Sequence, residues 1–145
     1  MLLRKDMKLG KKIDKITVGE KLQLNEKIED KDLLLYLGLT NDNNPLYIQY
    51  DYAIGTPYKK PIIPVIMLNG IITSAISKHL PGPGSHIREQ NIIYLEPVYH
   101  NETIEISLEI QHIDLIQNVV EIYVKASKEK SIQVLHGVIK VVPPY

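Results

Sequence analysis

The residues best suited to chemistry lie in one short polar segment. Residues 41–45 read Asn-Asp-Asn-Asn-Pro, so that a single carboxylate, Asp42, stands among amide side chains a few residues ahead of Tyr47. Asn and Asp side chains hydrogen-bond their own backbone, and Pro45 disfavours helix at the residue before it. The segment is therefore predicted to be an ordered loop rather than a linker.

A second group that could do chemistry lies where the longest apolar helix is predicted to begin, near Val65 and just after Pro64. The first turn of a helix offers backbone N–H groups that can hold an oxygen gaining negative charge. A nearby carboxylate such as Asp42 can take up or deliver a proton, or orient a water. Together these groups would suit chemistry next to a carbonyl. The alternative, from the residues alone, is that Asp42 only caps a turn of the backbone.

Other kinds of site receive little support. The chain has no cysteine, which excludes thiolate metal ligands, disulfides and a cysteine nucleophile. The histidines show no pair at the spacing of metal ligands, so no metal site is predicted; they are residues 79, 86, 100, 112 and 136. Residues 81–85, Pro-Gly-Pro-Gly-Ser, lack the lysine and the following helix of a phosphate-binding loop, and they are predicted to end a helix. No serine lies in the turn that a hydrolase nucleophile requires.

Length and charge limit the class of protein. A chain of 145 residues is typical of one domain. Its 17 basic and 17 acidic side chains cancel, so it has no general attraction for nucleic acid or for an anionic membrane. No apolar stretch has the length of a signal peptide or a membrane span. We expect a soluble cytoplasmic protein with no nucleic-acid or membrane partner, in which a basic, solvated arm at residues 1–12 precedes a single domain at residues 13–145.

The hydrophobic pattern predicts an α+β fold. Residues 13–28 alternate like a strand, and residues 29–40 read as a short helix that ends near Gly38. Residues 65–79 carry apolar side chains nearly all round a helix. Four more strands are predicted, at residues 86–98, 103–113, 119–126 and 132–142. Consecutive strands after one hydrophobic helix indicate a sheet wrapped around that helix, which would be the most buried element. Open sheet edges favour a homodimer or a higher assembly of dimers.

The sequence also resembles a known family. Residues 42–46, Asp-Asn-Asn-Pro-Leu, followed by Tyr47 and Ala53, are similar to the signature of the MaoC-like family, the (R)-specific enoyl-CoA hydratases and dehydratases. The likeness continues through residues 56–64, the helix to Leu80, the break at residues 81–85 and residues 90–98. This resemblance implies a hot-dog fold, in which an antiparallel sheet wraps a long central helix. It also implies dimeric assembly and acyl thioesters of CoA or of acyl carrier protein as ligands, with no cofactor expected.

The resemblance assigns roles to particular residues. In the family an Asp and a His activate one water for syn addition to the enoyl double bond, and a backbone N–H at the helix start holds the thioester oxygen. By position the Asp is Asp42, the His falls on Tyr47, and the usual glycine at the oxyanion position falls on Val65. The residues beside these groups that are predicted to contact substrate are Asn44, Pro64 and Ile66.

The tyrosine at position 47 leaves two functions open. A phenol, whose ordinary pKa is about 10, cannot exchange a proton at neutral pH as readily as an imidazole with a pKa of about 6.5. One interpretation is a hydratase or dehydratase of fatty-acid metabolism, with Asp42 as base and Tyr47 as hydrogen-bond donor. The other is a non-catalytic acyl-CoA-binding module, a sensor or a partner subunit, that has lost efficient proton transfer. The sequence leaves open whether the protein is an enzyme.

Overall fold

One antiparallel sheet forms the framework of the molecule. A computed structural model describes residues 8–145. Its strands are β1 (Lys21–Lys27), β2 (His86–Tyr94), β3 (Thr103–Asp114), β4 (Val119–Lys128) and β5 (Ile132–Val142). The spatial order is β1-β3-β4-β5-β2, and every neighbouring pair is antiparallel. Within residues 8–145, β1 and β2 are therefore the two open edges of the sheet.

The helices lie between β1 and β2 in the chain. They are α1 (Asp30–Thr40), α2 (Pro45–Ile48), α3 (Tyr50–Ala53) and α4 (Val65–Lys78). The longest, α4, turns Leu68, Ile72 and Ile76 into the core, and the i, i+4 spacing of these residues places them on one helix face. The antiparallel sheet with α4 packed into its core confirms the predicted α+β plan.

The opposite wall of the core comes from the central strands. In β3 the alternate residues Ile104, Ile106, Leu108 and Ile110 are buried, as expected for a strand that is covered on one face. Three of them lie opposite another aliphatic side chain of β4, since Ile106 pairs with Ala126, Leu108 with Val124 and Ile110 with Ile122. Branched aliphatic side chains suit this pleated surface, which is why the chain can build a core without Phe or Trp.

The opening strand is shorter than predicted. Ile13–Lys15 form a 3-10 turn, and only Lys21–Lys27 pair with β3. The reason is Gly19, which has a φ of +95° and turns the chain, and whose N–H donates to the carbonyl oxygen of Ile110 at 2.8 Å.

Two other boundaries also differ from prediction, and two short helices were not predicted. Helix α1 runs past Gly38 to Thr40, because Asn41 and not the glycine adopts the left-handed conformation, with a φ of 55°. Strand β2 ends at Tyr94 rather than at Val98. The helices α2 and α3 were not predicted, since elements of 4 residues are too short to show a helical apolar period.

The prediction that the long helix is the most buried element is wrong. Only one face of α4 is covered within the chain, and the side chains of Val65 and Ile66 are 44% and 50% exposed. The central strands β4 and β5 are more completely buried, because sheet neighbours cover both of their edges and the core covers one face.

The first described residues are attached to the domain. The N–H groups of Gly10 and Lys11 donate to the carbonyl oxygens of Pro83 and Pro81, at 2.8 and 3.0 Å. The other residues of the predicted basic arm, up to position 7, lie outside the described residues, so its extent stays a prediction. Across residues 8–145, no helix combines the length and the apolarity needed to cross a membrane.

Candidate active site

The candidate site begins at the end of α1. This helix starts with a capping box, in which Glu29 and Asp32 each accept a hydrogen bond from the other's backbone N–H. It ends at Asn41, whose left-handed backbone reverses the chain direction. The hydroxyl of Thr40 donates to the carbonyl oxygen of Tyr36 at 2.8 Å and accepts from the Asp42 N–H at 3.2 Å. Asp42 is thereby held against the last turn of the helix.

Both carboxylate oxygens of Asp42 accept hydrogen bonds. The Asn44 N–H donates to Oδ1 at 3.1 Å, which closes a turn of the kind that Asx side chains favour. The phenol of Tyr36 donates to Oδ2 at 3.4 Å. The Asp42 side chain is half-buried. Asp42 thus does cap a turn, as the simpler interpretation predicts, but only one of its oxygens is used for that purpose.

Tyr36 belongs to the site although it was not among the predicted site residues. Burial raises the pKa of its phenol, and the charge of Asp42 and the hydrogen bond to Asp42 raise that pKa further. The phenol therefore stays protonated at neutral pH and acts as a donor. A left-handed residue at the end of a helix folds the following residue back over the last turn. An asparagine followed by an aspartate at the end of the helix, with Asp42 six residues after Tyr36, was therefore the sequence feature that could have indicated this contact.

The two other predicted loop residues have different surroundings. The side-chain oxygen of Asn44 caps α2 by accepting from the Leu46 N–H at 3.0 Å. Tyr47 lies on α2, is half-buried, and its phenol also contributes to raising the pKa of Tyr36. Electrostatic coupling of this kind requires the two phenols to be close. The structure thus brings the side chains of Tyr36 and Asp42 into contact, with the Tyr47 phenol close enough to Tyr36 to affect its pKa.

A short backbone link brings this cluster to the start of α4. The Ile62 N–H donates to the carbonyl oxygen of Leu46 at 3.1 Å, so α2 contacts the segment that leads into α4. The next residue, Ile63, donates its N–H to the carbonyl oxygen of Val98 at 2.7 Å, and Ile62 pairs with Tyr99. These contacts hold residues 62 and 63, which lead into α4, against α2 and against the segment at residues 98–99.

Pro64 is the N-cap of α4, and Val65 and Ile66 are its first two residues. The backbone N–H groups of a first helical turn have no acceptor within the helix and are available to a ligand oxygen. Pro64 is buried and therefore rigidly placed, whereas the side chains of Val65 and Ile66 point towards the surface. The Val65 side chain is therefore directed away from the core, while its backbone N–H is the predicted oxyanion donor.

Together, these elements offer a carboxylate, two phenols and a helix N-terminus. They can accept a proton or orient a water at Asp42, donate hydrogen bonds from the phenols, and hold an oxygen at the helix start. Across residues 8–145, no group of three or more His, Asp or Glu side chains is placed to hold a metal ion.

The fold and these groups define a hot-dog protein with a polar loop facing the start of its central helix. The model of the MaoC like domain matches residues 11–132, and this chain belongs to that family. The predicted hot-dog fold is confirmed by the (R)-hydratase of A. caviae, which superposes with a TM-score of 0.84 at 20% identity and covers 90% of this chain and 98% of that one.

Two relatives are closer in sequence. An (R)-specific enoyl-CoA hydratase of Rhodospirillum rubrum is 32% identical over 89 residues, which is 61% of this chain and 62% of that protein. The alignment thus spans less than two thirds of that relative. An R-hydratase of Pseudomonas aeruginosa, solved in its unliganded form, is 26% identical with a TM-score of 0.84, covering 93% of this chain and 86% of the other.

Proposed function

We propose that this protein is a hydratase or dehydratase of acyl thioesters, acting on an enoyl or 3-hydroxyacyl group carried by CoA or by acyl carrier protein. The observation that carries the proposal is the Asp42 carboxylate, which accepts hydrogen bonds from the Asn44 amide and the Tyr36 phenol in the loop before α2, and α2 is itself bonded through Leu46 to the segment that leads into α4. Membership of the MaoC-like family and the hydratase relatives support the same reaction class.

In the hydration direction, Asp42 orients a water and accepts one of its protons as the water oxygen bonds to the β-carbon of the enoyl group. The α-carbon takes up a proton on the same face, so that water is added across the double bond. The charge that develops on the thioester oxygen meets the backbone N–H of Val65. Asn44, Pro64 and Ile66 line the approach to the reacting carbons.

Tyr47 limits the rate in this mechanism. By the sequence resemblance it falls at the position of the family's histidine, and a neutral phenol donates a hydrogen bond but is a poor base at neutral pH. The proton for the α-carbon must then come from the water through Asp42 alone, or from a phenol that gives up its proton reluctantly. We therefore expect slow turnover.

A second candidate function is an acyl-CoA-binding module, a sensor or partner subunit, with no turnover. The specific observation in its favour is that the Tyr36 phenol, with its raised pKa, occupies Oδ2 of Asp42. A water that Asp42 activates through this oxygen must share it with the phenol, because a carboxylate oxygen can accept more than one hydrogen bond. Binding of a thioester at the start of α4 would not need such a water.

Replacing Tyr47 by His distinguishes the two candidates. If the site is a hydratase that lacks its imidazole, Tyr47→His should raise hydration of crotonyl-CoA by about 10²–10⁴-fold, the contribution of a positioned acid or base. Loss of the enoyl absorbance measures the rate, and Asp42→Asn should abolish it. Tyr50→His, at an exposed tyrosine on α3, is the matched control and should leave the rate unchanged.

Two other outcomes are informative. If Tyr47→His shows no activity while crotonyl-CoA still raises the melting temperature, the enzyme proposal is wrong and the binding module stands. If crotonyl-CoA neither reacts nor stabilises the protein, both candidates fail.

The assembly and location are part of the proposal. We infer a homodimer or an assembly of dimers, because β1 and β2 leave open edges that a second copy would cover. A cytoplasmic location fits a chain without cysteine that uses CoA or carrier-protein thioesters.

A further inference from the structure

A groove separate from the candidate site runs between α4 and β1. Its volume is about 350 Å³, within the range of small-molecule sites. The apolar part of its lining is formed by Leu24 of β1 and by Met67, Ile71 and Ala75 of α4, and Ser74 also lines it. Gly70, whose missing side chain leaves open space, forms part of the rim.

The groove opens into a basic hollow at the C-terminal end of α4. Lys78 and His79 line both the groove and this hollow, which has a volume of about 650 Å³. Lys8 and Lys11 complete its cationic side chains, and no acidic residue lines it within residues 8–145. We call this hollow the basic mouth.

The positive charge of the basic mouth is available to a ligand. Lys11 forms an ion pair with Glu20 at 3.3 Å, whereas Lys8 and Lys78 form no ion pair with any described residue. Two carbonyl oxygens near the end of α4 accept from backbone N–H groups, that of Ile76 from Gly82 and that of Ala75 from His79. These two oxygens need no lysine as a cap.

The opposite end of the groove is acidic. Glu20, the residue before β1, marks the basic mouth because it pairs with Lys11. Glu26 lies on β1 six residues further along, which is about 20 Å in an extended chain. Met67 and Lys78 are separated by about 16 Å along α4. An elongated ligand with one anionic end would therefore enter with that end at the basic mouth and its apolar body directed towards Met67.

We propose that this groove binds a free fatty acid, with the aliphatic chain along Leu24, Met67 and Ile71 and the carboxylate at Lys78. The apolar lining matches the chain, and the cations at one end and Glu26 at the other match the polarity of the ligand. The basic mouth lies about 20 Å along α4 from Val65, so the carboxylate is held away from the candidate active site.

Gly70 provides a test in which loss of binding cannot be mistaken for unfolding. A leucine at this position meets no atom within 4 Å of its Cβ, and it replaces a glycine inside a helix, which favours folding. Its side chain extends over the groove and takes the space of the aliphatic chain. Gly38→Leu is the matched control, because Gly38 is also inside a helix, has equally open surroundings and lines neither the groove nor the mouth.

The experiment is titration calorimetry of the full chain with sodium dodecanoate below its micelle concentration. We expect saturable binding of one dodecanoate, about tenfold or more weaker in Gly70→Leu and unchanged in Gly38→Leu. Lys78→Glu should also weaken binding, whereas Lys125→Glu, at an exposed lysine of β4, should not. Butyrate, which has the carboxylate without the chain, should not bind.

Several results would overturn the proposal. Gly70→Leu binding dodecanoate as well as the wild type would exclude the groove, and equally tight binding of dodecyltrimethylammonium would exclude a role for the basic mouth. Competition by crotonyl-CoA would place the acid in the candidate active site instead. Sedimentation of the protein with anionic phospholipid vesicles would indicate a lipid surface as the ligand. Failure of crotonyl-CoA turnover leaves this proposal unaffected, because dodecanoate binding is measured without the thioester.

Discussion

Asp42 does two tasks with one side chain. Its Oδ1 stabilises the turn after α1 by accepting from the Asn44 N–H, and its Oδ2 is the oxygen left for chemistry. In this structure Oδ2 is occupied by the Tyr36 phenol. A substrate water that binds to Oδ2 must therefore share this oxygen with an intramolecular donor.

The Tyr36 contact predicts a change in stability at alkaline pH. The raised pKa means that the folded protein holds the Tyr36 proton to a higher pH than the unfolded chain, so stability is fully present below the ordinary pKa of about 10 and falls as pH rises above it. Tyr36→Phe has no proton to lose. The fall in unfolding free energy between about pH 9 and pH 11 should therefore be smaller in this variant than in the wild type.

Urea unfolding at each pH measures this difference. Part of the fall should persist in Tyr36→Phe, because burial also raises the pKa of Tyr94 and Tyr99. Tyr50→Phe, at an exposed tyrosine, serves as the control for removing a phenol. A Tyr36→Phe curve that runs parallel to the wild-type curve across this range would show that folding does not raise the pKa of Tyr36.

At the scale of elements, the end of α1 decides where Asp42 lies. A helix that ended at Gly38 would release the following residues into the loop. Because α1 continues to Thr40 and Asn41 takes the left-handed conformation, Asp42 is returned to the side of Tyr36. The predicted end near Gly38 therefore differs from the observed end, at which Asn41 is the left-handed residue.

Substitution of Gly38 tests this boundary. Gly38 is inside α1 with open space around it, so Gly38→Ala should raise the unfolding free energy by about 0.5–1 kcal/mol through higher helix propensity. The melting temperature should rise by about 2–4 °C. Asn41→Gly should be neutral or stabilising, because glycine adopts a positive φ without strain. A drop in melting temperature for Gly38→Ala would mean that the helix ends at the glycine.

A second glycine should respond in the opposite direction. Gly137 in β5 lies opposite Ile92 of the edge strand β2, and a Cβ at this position would collide with the backbone oxygen of Asn91. Gly137→Ala should therefore lower the unfolding free energy by about 1–3 kcal/mol, as overpacking does elsewhere. Thermal unfolding followed by circular dichroism measures it, with Gly38→Ala as the control for adding the same methyl group. An unchanged melting temperature would show that β2 can move away from β5.

At the scale of the whole molecule, the open edge of the sheet predicts its assembly. Strand β2 is paired on one side only within residues 8–145, and Ile93 on this strand is 57% exposed. We expect a dimer in sedimentation velocity at micromolar concentration. Ile93→Asp should shift it towards monomer, because a charge on an edge strand opposes strand pairing. Ile116→Asp changes an even more exposed apolar residue in the β3–β4 turn and should leave the dimer intact. A wild-type monomer would contradict the proposed assembly.

The sequence by itself predicted the strands, the long helix and the segment that holds the candidate site. Alternating aliphatic residues predicted β3 and β5 closely, and the apolar run after Pro64 predicted α4, because these signals come from neighbours in the chain. The motif around Asp42 and Pro45 indicated the family that the domain match then established. The details that local signals could not decide were the short helices α2 and α3 and the ends of α1 and β2.

Only the tertiary structure decided which groups meet. The hydrogen bond from the Tyr36 phenol to Asp42 depends on a chain reversal at Asn41. A backbone hydrogen bond between Ile62 and Leu46 connects α2 with the segment before α4. The groove between β1 and α4 joins residues more than forty positions apart. Such contacts form because packing a sheet around one helix brings distant segments together, and the free energy of that packing is not contained in any single segment of the chain.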